Sequence, residues 1–463
     1  MARSFKHVAA HAAVRFGLGA RPNELVDISG DPAGWVMAQI QAPMDTLDLF
    51  RHLPTRHQAA QLFGEYRAQK KAFKEQQQEE KTATGMKNFP GRAAIRNLIA
   101  DEIQARLMAG LNTRWPLQER MLRFWSNHFT ISAKRQVCAP FVGAIEREAI
   151  RPHLFGKFET MLRAVAEHPG MLLYLDNASS VGPNSRQGAR RGKGLNENLA
   201  REIMELHTLG VGGGYRQEDV TNFARILTGW TVMPMRLAPD RAGEFYFNAR
   251  GHEPGNHRVL GKSYADDGKA QGDAALHDLT RHPATAQHIA IKLARHFIAD
   301  DPPPKAVARI AEVFTESGGD LAEVTAAVIR APEAWDDPLT KFRNSEDYLL
   351  AVWRSLDVRR PERKWVMSAY NVLGQKPYTA DSPAGWGDQT QDWSGPDAVM
   401  KRISWAHAVA DRAADGNNAD IPVFAETILG GLLSARTAEA LTRAASRRQA
   451  LALLFAGPEM QRR

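Results

Sequence analysis

Two glutamates one helical turn apart have the clearest chemical potential in this sequence. Asn196 can cap a helix and Gly210 suits a left-handed stop, so the pattern predicts a helix from about 197 to 209 that carries Glu202 and Glu205. Because each residue advances about 100° around a helix, its polar side chains share one face. These polar side chains are Asn198, Arg201, Glu202 and Glu205.

This polar face has two interpretations. Glu202 and Glu205 could supply a pair of metal ligands, or a general acid and base, with Arg201 and Asn198 orienting them. The alternative is a solvated stripe in which Arg201 pairs with Glu205, an interaction that contributes only about 0.3–0.5 kcal/mol. The functional interpretation requires these four side chains to face an enclosed cleft.

A basic segment immediately before this helix points to an anion. Residues 178–194 are rich in Ser and Gly and contain four cations and no acid, which predicts a mobile loop between two lobes, 8–177 and 195–455, or a lid. The positive end of a helix attracts anions, and nearby cations strengthen that field. Asn196, Arg190 and Arg191 are therefore candidate ligand-binding residues, with a solvated loop as the alternative.

A second candidate lies in the segment ERMLRFWSNHF, residues 119–129. The pattern predicts a helix on which His128 shares a face with apolar side chains. Such a histidine is usually a core residue; the alternative is a pocket lined by Asn127 and His128. Trp125 and Trp230 complete the candidate ligand-binding residues.

A metal site has weaker support. His252, Glu253 and His257 fall in a predicted antiparallel hairpin near 244–264 and could meet at one turn to bind a cation. No cysteine pattern or HExxH motif accompanies them.

The glycine-rich run 210–214 closes a helix instead of following a strand, so it is not a dinucleotide fingerprint. Serine-hydrolase elbows and Walker A loops do not occur in the sequence.

The composition describes a globular protein. Of 463 residues, 43% are hydrophobic and 24% are charged, which is an ordinary balance for a chain with a packed core. We predict an all-α fold of many packed helices with the one hairpin, as a single family domain over 8–455. Cys138, the only cysteine, is interpreted as a packing residue because it has only general positive charge around it.

The charge and hydropathy patterns limit partners and compartment. A formal net charge of +8 suggests an anionic partner or a solvated basic surface, and nucleic acid is not favoured because no dense basic run contains interleaved aromatics. No stretch approaches the ~18 uncharged apolar residues of a membrane span. Charges at Arg3, Lys6 and Arg15 interrupt a secretory signal. The expected compartment is the cytoplasm, with co-export with a partner left open.

One long loop and one helix start are also predicted. Residues 374–396 form an aromatic, Asp-bearing loop of a length that is often functional. Ser394 and Asp397 suggest a capping box for the following helix.

The order of several motifs resembles a bacterial family, domain of unknown function 1800. The resemblance spans about residues 8–455 and is carried by WSNHF, HPGMLLYLDN, NENLAREIMELHTLGVGGGY, ILTGW and GHEPGNHRVLG. It implies a largely helical protein without an established activity or cofactor. It also implies a sulfatase-like partner, because genes of this family commonly lie beside those of family 1501, which resembles sulfatases and alkaline phosphatases. The sequence departs from the family at two places. Arg216 stands where relatives typically have Thr, which implies the loss of a helix cap and of its link to Asp219. Glu253 and His257 replace the Asp and Lys often found around the hairpin turn in relatives.

Two functional hypotheses follow from these patterns. The first is a binding or accessory protein that engages an acidic partner or an anionic ligand. The alternative is a metal-assisted enzyme that uses Glu202 and Glu205, with His128 or His252 nearby.

Overall fold

Helices form most of the protein. The computed structural model describes residues 5–79, 91–191, 194–336, 339–415 and 420–463. In its first half the helices are α1 (Phe5–Arg15), α2 (Glu24–Ile28), α3 (Pro32–Ala38), α4 (Arg56–Glu79), α5 (Gly91–Asn112), α6 (Pro116–His128), α7 (Val142–Ile145), α8 (Phe158–Glu167), α9 (Pro169–Tyr174), α10 (Gly188–Arg191), α11 (Asn198–Glu202) and α12 (Gln217–Ile226). Two π-helical turns also occur, at Glu146–Ile150 and Ile203–His207.

The second half is also helical. Its helices are α13 (Lys269–Arg281), α14 (Pro283–Phe297), α15 (Pro304–Glu316), α16 (Leu321–Arg330), α17 (Ser345–Ser355), α18 (Arg363–Leu373), α19 (Pro396–Ala413), α20 (Ile421–Leu429), α21 (Ala435–Thr442), α22 (Arg447–Ala456) and α23 (Pro458–Gln461). The predicted all-α class is confirmed. Prolines begin α6, α14 and α19 because a helix needs no N–H at its first position.

One predicted helix start is wrong. Ser394 does not cap α19, which begins after Gly395 without a side-chain cap. Pro396 takes the first helical position with its φ already fixed near the helical value. Asp397 instead pairs with Lys401 at 2.6 Å, one turn further along the helix.

The β structure is small and only partly local. β3 (His257–Val259) and β4 (Lys262–Tyr264) form the predicted antiparallel hairpin, whose two turn residues, Leu260 and Gly261, have φ of 49° and 80°. The aromatic segment β2 (Phe245–Phe247) pairs instead with β1 (Trp230–Val232), which lies outside the predicted window. The confirmed hairpin is therefore shorter than the range 244–264.

Apolar side chains gather in two main clusters. The larger draws on α1, α6, α8, α12, α13, α14, α15 and α16. The second draws on α5 and on α17 to α22. Phe158 and Leu276, from opposite sides of segment 178–194, both belong to the larger cluster. The lobe division at that segment remains a prediction.

A buried ion-pair network links elements of the two clusters. Arg123 on α6 lies 3.5 Å from Glu346 on α17, and Arg120 lies 3.2 Å from Asp347. Arg106 on α5 bonds both Glu346 and Glu146.

A second centre of the network is Glu119, which bonds Arg123 and Arg151. Burial alone would raise the pKa of Glu119, but the neighbouring guanidinium groups outweigh burial and lower it to about 2.

Candidate functional site

A largely enclosed cavity lies where α6, α14, α17 and the loop after α18 meet. Its volume is about 80 Å³, which is room for a small molecule and well above the minimum for one water. Aromatic rings and polar groups share its walls. The lining residues on which the argument rests are Asn127 and His128 from α6, Lys292 and His296 from α14, and Trp386 and Asp388 from the loop.

Lys292 is the unusual group in this cavity. Its half-buried side chain lines the cavity and forms no hydrogen bond and no ion pair with any described residue. Burial lowers its pKa to about 8, the charge of Asp388 opposes that shift, and Arg295 adds to it. Asp388 is close enough to act through its charge but does not pair with the ammonium group. An unpaired ammonium group in such a place is a candidate binding group for a ligand.

The position of Lys292 follows from helix geometry. His288, Lys292 and His296 are spaced four residues apart on α14, so they share one face of that helix. Ile289 and Leu293, next to them in sequence, are fully buried in the larger apolar cluster. The packing of α14 on its apolar side thus directs the polar face toward α6 and the cavity.

Two imidazoles beside the cavity are fixed by the π-helical turn Ile203–His207. His128 Nε2 lies 3.1 Å from the carbonyl of His207, and His288 Nε2 lies 3.1 Å from the carbonyl of Leu206. A carbonyl only accepts, so Nε2 carries the proton in each ring. Burial, and then the charge of Lys292, lowers the pKa of both residues, to about 4 for His288 and well below the usual value for His128. Both rings are therefore neutral near pH 7.

Asn127 fastens the loop between α18 and α19 over the cavity. Its side-chain amide donates to the carbonyl of Trp386 at 2.9 Å and accepts from the N–H of Trp386 at 2.8 Å. Gly385, with φ of 80°, passes so near that an added Cβ would lie 2.5 Å from the Asn127 carbonyl oxygen. These contacts place Asp388 at the cavity wall, where its carboxylate has no hydrogen-bond partner among the described residues.

The glutamate stripe lies elsewhere. The predicted helix exists as α11 and the π-helical turn that follows it, ending at His207, and Gly210 adopts the expected left-handed φ of 81°. Glu202, Glu205 and Arg201 are half-buried, Asn198 is exposed, and none of the four lines the cavity. Arg201 pairs with Glu197 at 2.9 Å, not with Glu205 as the solvated interpretation assumed. Burial, and then the charge of Glu205, raises the pKa of Glu202.

The described part of the basic segment packs against the region before β3. The N–H of Gly182 bonds the carbonyl of Gly251 at 2.9 Å. Arg190 is exposed on α10, and the side chain of Arg191 lies outside the described residues. The Asn196 side chain accepts from the N–H of Asn198 at 2.9 Å, but Asn196 is not the cap of α11, because Glu197 takes that position without a side-chain cap hydrogen bond.

The three predicted metal ligands have other contacts. Glu253 is buried and accepts from the N–H of Asn184 at 2.9 Å. His252 Nδ1 lies 2.9 Å from the carbonyl of Thr228, and His257 belongs to β3. Within the described ranges, no three His, Cys, Asp or Glu side chains form a group that could hold a metal ion.

The two predicted tryptophans are core residues. Trp125 is fully buried among aromatic rings, including that of His128 at a centroid distance of 5.3 Å. Trp230 is also fully buried, packs against Phe245 at 5.2 Å and lies under the Lys269 ammonium group. Neither lines the cavity.

The sequence matches the family described as "Protein of unknown function (DUF1800)" over residues 11–462. The chain belongs to this family. Neither the curated proteins nor the solved structures include a significant match to it. None of the described helices of this DUF1800 protein is both long and apolar enough to cross a bilayer.

Two local interpretations can now be judged in this DUF1800 member. The expected loss of a link between Arg216 and Asp219 is wrong: the backbone N–H of Arg216 donates to Asp219 at 2.8 Å, and a backbone group needs no particular side chain. Cys138 is buried, and burial raises the pKa of its thiol to about 12. Its interpretation as a packing residue agrees with this environment.

Sequence reasoning missed Lys292 and Asp388. A lysine in an amphipathic helix ordinarily lies on the solvent side, so Lys292 carried no local signal. The usable signal was the four-residue spacing of His288, Lys292 and His296, three titratable groups on one face of an otherwise apolar helix.

Proposed function

We propose that this DUF1800 protein is a binding protein whose ligand is a small anion held in the cavity by Lys292. The observation that carries the proposal is the half-buried ammonium group at the cavity wall, which has no partner among the described residues. A charge that is largely removed from water is costly unless it is paired, and a bound anion would supply the missing partner. This proposal takes the anionic-ligand form of the binding hypothesis from the sequence.

The cavity size restricts the anion. A space of about 80 Å³ suits sulfate, phosphate or a short carboxylate better than a nucleotide. Lys292 offers three N–H donors to such a ligand. The other lining cations, Arg106, Arg123 and Arg463, already have carboxylate partners. Among the cations that line the cavity, Lys292 is thus the one without a carboxylate partner among the described residues.

An acidic partner protein, including the sulfatase-like one that the family resemblance implies, remains a separate prediction. Co-purification with the product of a neighbouring gene tests it directly. The metal-assisted alternative has no comparable observation in its favour, since the described ranges offer no group of three ligand side chains.

Ligand-dependent stabilisation tests the proposal. Sulfate, phosphate and acetate are titrated into the protein at constant ionic strength, with chloride as the reference, while the unfolding temperature and the heat of binding are measured. We expect at least one anion to raise the unfolding temperature in a saturable manner, because a ligand that binds only the folded state stabilises it.

Matched variants assign the effect to the cavity. Lys292→Met should abolish the saturable stabilisation. Lys364→Met removes the same charge from an exposed position on α18 and should leave stabilisation unchanged. Wild-type protein that responds to each anion as it does to chloride, or a Lys292→Met variant that still responds, would contradict the proposal.

A further inference from the structure

The cavity holds an amine and a free carboxylate on facing elements. Lys292 comes from α14, and Asp388 comes from the loop that Asn127 fastens to α6. Neither side chain has a hydrogen-bond or ion-pair partner among the described residues. We propose that Lys292 forms a reversible imine with the carbonyl group of a short oxo acid, and that Asp388 carries the proton. This inference rests on the proposed function, because the carboxylate of the oxo acid is the anion of that proposal.

The reaction needs no redox partner. The neutral amine of Lys292 attacks the carbonyl carbon, forming a C–N bond as the C=O π bond opens, and one proton moves from the nitrogen to the oxygen. The resulting carbinolamine then loses the second nitrogen proton and its hydroxyl group as water, forming the C=N bond. Asp388 can accept each nitrogen proton in turn and pass it to the oxygen. Uptake of one proton from water by the imine nitrogen then restores a positive charge beside the carboxylate of the ligand.

The amine is available because the site disfavours its charged form. A pKa of about 8 leaves about a tenth of Lys292 as free amine at pH 7. The charge of Asp388 favours protonation, whereas the charge of Arg295 opposes it. Burial lowers the pKa of His128, His207 and His288, so these rings add no positive charge at pH 7.

The surroundings also suit a carbonyl ligand. Phe124, Phe129, Trp386 and Trp393 contribute apolar wall to the cavity. Such walls limit the access of bulk water, and an imine in an enclosed site is hydrolysed less readily than one in water. The small volume again favours a short oxo acid over a sugar phosphate or an extended substrate.

Reductive trapping tests this inference. Intact protein is incubated at pH 7 with glyoxylate as the probe and cyanoborohydride as the reductant, and the modified lysines are identified by peptide mass spectrometry. The free-amine fraction of Lys292 exceeds that of an ordinary lysine by about 300-fold at pH 7. Allowing for slower entry into the cavity, we expect Lys292 to be labelled at least about tenfold faster than exposed Lys364 in the same molecules.

The internal comparison makes the result independent of any variant's folding. Labelling of Lys292 no faster than that of Lys364 would overturn the imine inference. Preferential labelling that rises with pH and levels off above about pH 8 would support it. Sulfate should slow the labelling of Lys292 and leave that of Lys364 unchanged.

A charge-conserving variant separates this inference from the proposed function. Lys292→Arg keeps a cation that can bind sulfate but has no amine that forms an imine. Sulfate binding retained together with labelling lost at position 292 supports both. Wild-type protein that binds sulfate without labelling at Lys292 leaves the proposed function standing and refutes the imine. Labelling without any anion binding refutes the oxo-acid class of ligand.

Discussion

Replacing Lys292 by Met should stabilise the unliganded protein, although it removes the proposed ligand contact. The ordinary pKa of 10.5 falls to about 8 in the folded protein. At about 1.4 kcal/mol per pKa unit, this shift corresponds to at most about 3.4 kcal/mol of destabilisation by the ammonium group. Relaxation around the charge reduces that value. We therefore expect Lys292→Met to raise the free energy of unfolding by about 1–3 kcal/mol at pH 7.

The pH dependence of this gain has a definite sign. The pKa of Lys292 is lower in the folded than in the unfolded chain, so between about pH 8 and 10.5 the unfolded chain binds more protons. The ammonium group destabilises the fold fully below pH 8, and the penalty is relieved as the pH rises. The difference between variant and wild type should therefore shrink by about 1.4 kcal/mol per pH unit in this window.

Urea denaturation at pH 7 and about pH 9.5 measures both the stability gain and its change with pH. The difference in free energy of unfolding between the variant and wild type is the useful quantity, because groups that titrate alike in both proteins cancel in it. Lys364→Met is the control and should differ from wild type by less than about 0.5 kcal/mol at either pH. A Lys292→Met variant that is less stable than wild type at pH 7 would refute the reasoning. A stability gain that does not change with pH would refute its electrostatic part.

Three further predictions concern the elements around the cavity. Asn127→Ala should cost about 1–3 kcal/mol, because the backbone groups of Trp386 lose both partners, and limited proteolysis should cut the loop 374–395 faster; an unchanged cleavage rate would show that Asn127 does not hold the loop. Glu119→Gln should cost about 3–5 kcal/mol in urea denaturation at pH 7; because the folded pKa of Glu119 is about 2 against 4.5, the wild-type advantage should be complete above about pH 4.5 and lost as the pH falls toward 2. Gly210→Ala should destabilise by at least about 1 kcal/mol, since Gly210 has φ of 81° and an added Cβ would lie 2.8 Å from His288 Nδ1; Gly212→Ala, with open space around it, is the control and should be near neutral.

The sequence predicts helices well where local signals agree. The segments that became α5, α6 and α14 combine apolar periodicity with a proline or glycine at a boundary. The hairpin of β3 and β4 was predictable because its turn is local. The pairing of β2 with β1 was not predictable, because it joins Trp230 to Phe247 across a loop whose sequence has no helical or strand periodicity.

The candidate site shows the same limit. Asn127 and His128 could be selected because they share a helix with apolar residues, and the loop could be selected because it is long and aromatic. Asn127, His128 and this loop meet at one cavity because α6 and the loop pack near α14. The loop lies about 100 positions after α14 in the chain, so no local sequence pattern links them. The helical periodicity of the sequence predicted that Glu202 and Glu205 share one face of a helix. Periodicity does not indicate which other element, if any, packs over that polar face.

The buried ion-pair network affects how the protein loses its structure. Arg120 and Arg123 on α6 find their partners Asp347 and Glu346 on α17, across the meeting of the two apolar clusters. If one cluster unfolded while the other stayed folded, the charged side chains in the folded cluster would lose their partners. These charges would then be unpaired in the protein interior, which solvates them poorly. A half-melted species is thus disfavoured, and we expect the two clusters to unfold together in one transition.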